Sequence, residues 1–416
     1  MASRASMPLS HFEVNLAAVA AIFAGTYAVL ALGQSPLFRI DRTGAAVIGA
    51  ILMVVVGRLS LDEAWRSIDH RTIILLFGMM VVVASLRLAR FFSILGRKIV
   101  TGIRHPAALV VAVVFVSGIL SALFVNDTIC LVFTPMLIDV ARMRGMRPLP
   151  LLLALATSSN IGSVAAMTGN PQNMLIGSLS GISFPAFLAA LGPVALFGLA
   201  VDSAMVLWIF RRDLRPAEWP AERDPVRPVH RALMAKGLVI AGGMLAGFLF
   251  GFDTALVAAV AAAAVLITRR VKPEKIYRQV DGGLLVLFMG LFVVIRGVEA
   301  AGLAQQLFAF LQPIGVDTVW GLSAVTAILS NLTSNVPAVM LLGRMVPHLP
   351  DPRQAWLTLA MASTLAGNLT LLGSIANLIV VEGAKRQGVR IGFGDYLRVG
   401  VPVTLVTISF GIWWLG

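Results

Sequence analysis

Residues Ser121–Leu137 read SALFVNDTICLVFTPML and residues Ala156–Gly177 read ATSSNIGSVAAMTGNPQNMLIG, with a short basic loop between. The flanks are apolar enough to lie in a bilayer. The stretch nevertheless carries Asn126, Asp127, Thr128, Ser158, Ser159, Asn160, Thr168, Asn170, Gln172 and Asn173. Polar side chains at membrane depth are costly and usually line a cavity or a substrate path. Gly162, Gly169 and Pro171 interrupt the second segment, which therefore reads as a broken helix. Before it, Ala107–Val125 and Cys130–Val140 flank the Asn-Asp-Thr tip and read as a re-entrant hairpin.

The rest of the 416 residues has the same character: 58% hydrophobic, 13% charged, mean hydropathy +0.90. Soluble domains run nearer a quarter charged. Apolar runs of spanning length recur, and the two-residue alternation of a membrane β-barrel is absent. The fold class expected is an all-α polytopic membrane protein with about 10–12 transmembrane helices, resident in the inner (cytoplasmic) membrane of the cell. The net charge of +13 sits in gaps between apolar runs, as at Arg142, Arg144, Arg147 and at Arg269, Arg270, Lys272, Lys275, Arg278. That distribution fits cytoplasmic loops under the positive-inside bias, so no nucleic-acid partner is expected. Arg87, Arg90, Arg97 and Lys98 are threaded among apolar residues, as in an interfacial or broken helix. The single cysteine, Cys130, excludes an internal disulfide. Nothing before His11 resembles a cleavable signal, so the first apolar run reads as a retained helix.

One polar linker stands out, RRDLRPAEWPAERDPVRPVHR, with four prolines. It divides the chain into a first half (1–210), the linker (211–231) and a second half (232–416). The second half repeats the features of the first. LLFGMMVVV from Leu75 resembles VLFMGLFVV from Val286, and FVNDT resembles LTSNV. The latter match sets Asn126 opposite Ser334, Asp127 opposite Asn335 and Thr128 opposite Val336. MTGNPQNMLI resembles LLGSIANLIV, setting Gly169, Asn170 and Asn173 opposite Gly373, Ser374 and Asn377. Two structural repeats are therefore expected, inverted if each holds an odd number of crossings. Broken helices expose backbone N–H and C=O groups, tolerated at membrane depth only where they line a cavity or are buried in protein. Half-helix ends bring partial charge to the midplane without a full one. The bland alternative is that these Gly, Ser, Thr and Asn residues only pack helices together; two matched clusters in a repeat weigh against it.

Asp127 is the only acid at a hairpin tip. Desolvation there favours the neutral carboxyl, which makes it a candidate proton carrier. A permanently charged residue held by N–H groups or by sodium is the alternative. Asp202, within the Phe184–Phe210 run, is a weaker candidate that fits a place near a helix end. Arg296 and Glu299 are close enough to pair with each other. Cys130 could meet a soft metalloid, although a lone buried cysteine is usually a small apolar filler. His11, His70, His105, His230 and His348 lie in termini or loops, which argues against metal or haem ligation. With no GxSxG or Walker motif either, neither an enzyme nor a cofactor is expected.

These residues resemble the ion transporter superfamily: ArsB arsenite pumps, NhaD-type sodium/proton antiporters and divalent-anion/sodium symporters. The resemblance covers the chain from about Gly44 to its end, and FVNDTICLVFTPM looks closest to the ArsB-like branch. The Ser-Asn-Thr tip of the symporter branch is present in neither half. The resemblance implies a scaffold subdomain and a transport subdomain, with substrate held between hairpin tips and helix breaks. By motif, the substrate-binding set would be Asn126, Thr128, Ser159, Asn160, Asn170, Asn173, Ser334, Asn335, Asn368, Ser374 and Asn377, with Asp127 coupling protons. A soluble ATPase partner is possible on the same ground. Arsenous acid is mostly uncharged at neutral pH and offers hydroxyls, which a ring of Asn, Ser and Thr suits. The expected function is proton-coupled efflux of arsenite or antimonite. A sodium-coupled symporter of dicarboxylate, sulfate or another small anion, or a sodium/proton antiporter, is the alternative.

Overall fold

The computed structural model describes residues 9–35, 37–57, 59–103, 105–214, 231–268 and 271–416. Ten helices precede the linker: α1 (Leu9–Leu32), α2 (Arg42–Val55), α3 (Leu61–Ser67), α4 (His70–Leu88), α5 (Phe91–Gly102), α6 (Pro106–Leu123), α7 (Asn126–Met143), α8 (Leu149–Ser163), α9 (Pro171–Ser180) and α10 (Phe184–Ile209). Ten follow it: α11 (Arg231–Leu249), α12 (Thr254–Leu266), α13 (Pro273–Tyr277), α14 (Gly282–Ala300), α15 (Leu303–Leu311), α16 (Val319–Thr333), α17 (Asn335–Leu342), α18 (Pro352–Ala366), α19 (Ile375–Arg386) and α20 (Phe393–Leu415). Six of them (α4, α6, α10, α11, α14, α20) are long and apolar enough to cross a membrane, and α2, α8, α12 and α16 are shorter apolar helices. The protein is an all-α polytopic membrane protein built from two structural repeats.

Local chemistry repeats with the helices. Asp41 and Asp253 cap the N-termini of α2 and α12, and Asp69 and Asp281 cap those of α4 and α14. Each carboxylate accepts an N–H that the first helical turn leaves without a partner. Before α5 the backbone turns left-handed at Arg90 (φ 63°), and before α15 at Gly302 (φ 76°). The stretch carrying Arg87, Arg90, Arg97 and Lys98 is therefore a broken helix, interrupted between Leu88 and Phe91. Single interior prolines, Pro193 and Pro402, sit in α10 and α20.

The two repeats interlock. Helix α2 packs on α14 and α12 packs on α4. A Cβ on Gly78 of α4 would stand 2.7 Å from the backbone of Ala258, and one on Gly290 of α14 would stand 2.8 Å from that of Ala46. These matched glycines let two backbones touch, as small residues do between membrane helices. Across the middle, α7 lies against α19 and α9 against α17.

The structure shifts the repeat register by one residue. Gly78 matches Gly290, whereas the apolar strings set Gly78 against Met289. The second helix of each hairpin opens on an asparagine, Asn126 or Asn335, so Asp127 faces Val336 in register rather than Asn335. Leu, Val, Phe and Met are interchangeable toward lipid and carry little register; caps and contact glycines carry it. Asn-Asp-Thr is thus the first turn of α7 and not a loop. Before α4, the short helix α3 starts on a capping box between Ser60 and Glu63. Residues 215–230 of the linker and Arg269 and Arg270 lie outside the described residues.

Candidate functional site

Each repeat breaks one buried helix in the same way. Between α8 and α9 the chain passes through a short 3₁₀ turn, Met167–Gly169; between α18 and α19 it passes through Leu371–Gly373. The breaks leave carbonyls without helical partners, and one asparagine side chain answers two of them in each copy. Asn173 Nδ2 donates to the carbonyls of Ser163 (3.0 Å) and Ala166 (3.2 Å). Asn377 Nδ2 donates to those of Gly367 (2.8 Å) and Thr370 (3.3 Å). Asn170 and Ser374 cap the helices that restart, accepting from the N–H of Asn173 and Ala376. Gly169 is required by the fold of the turn: a Cβ there would lie 2.3 Å from the carbonyl oxygen of Ser163.

These breaks meet the hairpin helices at Asn160 on α8. Its Oδ1 accepts from Asn126 Nδ2 and Ser374 Oγ, each at 3.0 Å. Its Nδ2 donates to Asn368 Oδ1 (2.8 Å) and Asn377 Oδ1 (3.1 Å). One amide thus ties α7 and α8 to α19 and to the break before it, and all five side chains are buried. The matching cluster of the other copy centres on Thr364 of α18. Its hydroxyl accepts from Asn170 Nδ2 and Gln172 Nε2, each at 3.2 Å, and Asn170 also donates to Ser163 Oγ at 2.9 Å. Near it, Asn335 Oδ1 accepts from Ser330 Oγ at 2.8 Å.

The expected residues therefore separate into groups. Asn126, Asn160, Asn368, Ser374 and Asn377 come together around Asn160, while Asn170 and Asn173 belong to the Thr364 cluster. Ser159 accepts a hydrogen bond from Cys130 Sγ at 3.0 Å, which ties the thiol to α8. Asp127 and Thr128 stand apart from both clusters: with Arg87, Gln279 and Asp281 they line a cavity of about 90 Å³. Ser334 holds the turn into α17 at φ 81°. Glu299 lies within 3.6 Å of Arg296 and 3.3 Å of Arg344, a structural ion pair extended by one partner.

Sequence reading passed over Thr364, Ser163 and Thr157. Thr364 sits on α18 where Asn160 sits on α8, at the same distance before the break, so the repeat itself was the signal. Asp202 is placed differently from expectation. It is fully buried inside α10, away from any helix end, and accepts from Thr157 Oγ1 at 2.7 Å.

Among known proteins, the chain is 33% identical to the "Silicon efflux transporter LSI3" of Oryza sativa subsp. japonica, over 93% of this chain and 95% of that one. It is 25% identical to the "Putative transporter arsB" of Dictyostelium discoideum, over 90% and 87%. In fold it is similar to the YdaH transporter of Alcanivorax borkumensis, with TM-score 0.56 and 18% identity over 97% of each chain. MtrF of Neisseria gonorrhoeae gives the same TM-score at 13% identity, over 96% and 94%. The motifs shared with the ion transporter superfamily are matched by a family description, "Citrate transporter" (CitMHS), over residues 27–366, and the chain is a secondary transporter belonging to that family.

Proposed function

We propose that this carrier exports a small, uncharged, polyhydroxylated oxyacid across the cytoplasmic membrane in exchange for protons, with arsenous or antimonous acid as substrate. The observation that carries this reading is the composition of the Asn160 cluster. It consists of amides and one hydroxyl, groups that both donate and accept, with no Lys or Arg in its hydrogen bonds. Such a set suits a neutral molecule rich in hydroxyls. The names of the relatives support the class, since a silicon efflux transporter and an arsB-like transporter both suggest hydroxylated inorganic cargo.

Asn126, Asn160, Asn368 and Ser374 are the substrate contacts in this reading. Asn173 and Asn377 serve mainly to hold the breaks, because their donors are already committed to backbone carbonyls. Asp127, partly exposed to its own cavity, is the residue that exchanges protons with the aqueous phase. The division into halves at 1–210 and 232–416 belongs to the same proposal, as does a soluble ATPase as an optional partner. A second reading, sodium-coupled import of a small anion, draws on the family description and on Arg87 in the cavity beside Asp127.

The test is expression in an arsenite-sensitive bacterial strain, followed by uptake in inverted vesicles. Raised tolerance and pH-gradient-driven accumulation of arsenite are expected, and Asp127→Asn should abolish the gradient-driven part. Absence of tolerance, combined with sodium-dependent uptake of citrate or sulfate, would transfer the assignment to the second reading.

A further inference from the structure

Asp202 takes no part in the site just described, yet it is fully buried on α10. Its Oδ1 accepts from Thr157 Oγ1 at 2.7 Å, and its Oδ2 has no hydrogen-bond partner. An acid so placed is expensive unless it is used. The repeat shows that architecture does not require it. With Pro193 and Pro402 setting the register of α10 and α20, Asp202 corresponds to Gly411. With the two breaks setting the register of α8 and α18, Thr157 corresponds to Met361. In the second copy those two positions touch as well: a Cβ on Gly411 would stand 2.7 Å from Met361 Sδ. The same helix crossing is made once by Gly and Met and once by Asp and Thr.

The acid is also wired to the amide cluster. The carbonyl of Thr157 accepts from Asn368 Nδ2 at 2.9 Å, and Asn368 Oδ1 accepts from Asn160 at 2.8 Å. We propose that Asp202 is a second proton-binding site of this carrier, separate from the hairpin tips, and that Thr157 and Asn368 transmit its charge state to Asn160. The proposal rests on the transporter reading but not on the identity of the cargo. Helices α6 and α8 present no titratable side chain to this crossing, and α18 has only the exposed Arg353 at its outer end. From α20 comes Tyr396, buried, with Asp395 and Arg398 near the helix start. From α11 come Arg231 and Lys236, the latter turned to the carbonyls of Val265 and Ile267. Asp202 is thus the only carboxyl at the crossing among the described residues.

Infrared pH-difference spectra of the purified full chain test this without any substrate. A protonated-carboxyl band that grows as pH falls is expected in the wild type, retained in Asp127→Asn in part and diminished in Asp202→Asn. In Asn368→Ala the Asp202 band should persist with a shifted midpoint. Should Asp202→Asn fail to fold, the double variant Thr157→Met/Asp202→Gly recreates the contact of the second copy and should lose the same band. A spectrum unchanged by removing Asp202 overturns the proton site, and a midpoint unmoved by Asn368→Ala overturns the transmission. Neither result depends on whether arsenite is carried, so the proposed cargo and this proposal fail separately.

Discussion

Ser334 is held where L-residues rarely go, at φ 81° and ψ 157°, a region almost confined to glycine. Its side chain accepts no capping hydrogen bond from the first turn of α17, so it does little to offset the strain. Strain of this kind persists where neighbours over-determine the backbone, and here the fixed element is the turn that aims Asn335. Placing such a residue costs about 1–3 kcal/mol. Glycine would relieve this while adding some freedom to the unfolded chain, about 0.5–1 kcal/mol. Ser334→Gly is therefore expected to stabilise the protein by about 1 kcal/mol, read as a higher midpoint of thermal unfolding in detergent. A lowered midpoint would mean that the hydroxyl matters more than the backbone. The polar character of this tip was legible in the sequence, but its backbone conformation was not, because nothing about a serine announces a positive φ.

At the scale of elements, the sequence disclosed the breaks and hid their partners. Gly169 with Pro171 marked the first break and Gly373 the second, and at both glycines a Cβ would collide with its neighbours. The role of Asn173 and Asn377 as clamps on freed carbonyls was not legible, since a binding asparagine and a bracing one look alike in a string. Asp202 was undervalued for a related reason: its partner Thr157 is far away in sequence and lies on another helix. The matched glycines Gly78 and Gly290 give the strongest prediction at this scale. Each faces backbone of the other repeat, Ala258 or Ala46, and backbone cannot step aside as a flexible side chain can. Gly78→Val and Gly290→Val should each destabilise by about 1–3 kcal/mol through overpacking. Gly242 and Gly243 on α11, where a Cβ would meet nothing within 4 Å, provide the comparison. Valine there should cost far less, and equal losses at all four positions would show that helix propensity, not the cross-repeat contact, sets the effect.

For the whole molecule, the pairs α2–α14 and α4–α12 are joined backbone to backbone and suit a rigid frame. The hairpin and break helices meet instead through side-chain amides, α8 with α7 and α19 around Asn160 and α9 with α18 around Thr364, and such contacts can be exchanged for water or cargo. Both clusters are sealed as they stand: Asn160 is 1% exposed and Asn377 0%, and Gln172 beside Thr364 is 4%. A carrier cannot work from this one arrangement, because cargo has to reach the site from each side in turn. We propose that the amide contacts open while the glycine-tight frame stays closed. Cys130 is the only native cysteine, so a Cys130→Ala background leaves introduced thiols as the sole targets. Gln172→Cys and Ser374→Cys avoid the two clamping asparagines and are the positions to probe in membrane vesicles. Both thiols should react slowly with a small charged reagent at rest and faster when a pH gradient is imposed. Valine at Gly242, outside both the frame contacts and the clusters, should leave that acceleration unchanged. Thiols that stay inert from both sides under the gradient would return these residues to a purely packing role. Equal labelling with and without the gradient would mean that the cluster opens independently of protons, and the coupling assigned to Asp127 would fall with it.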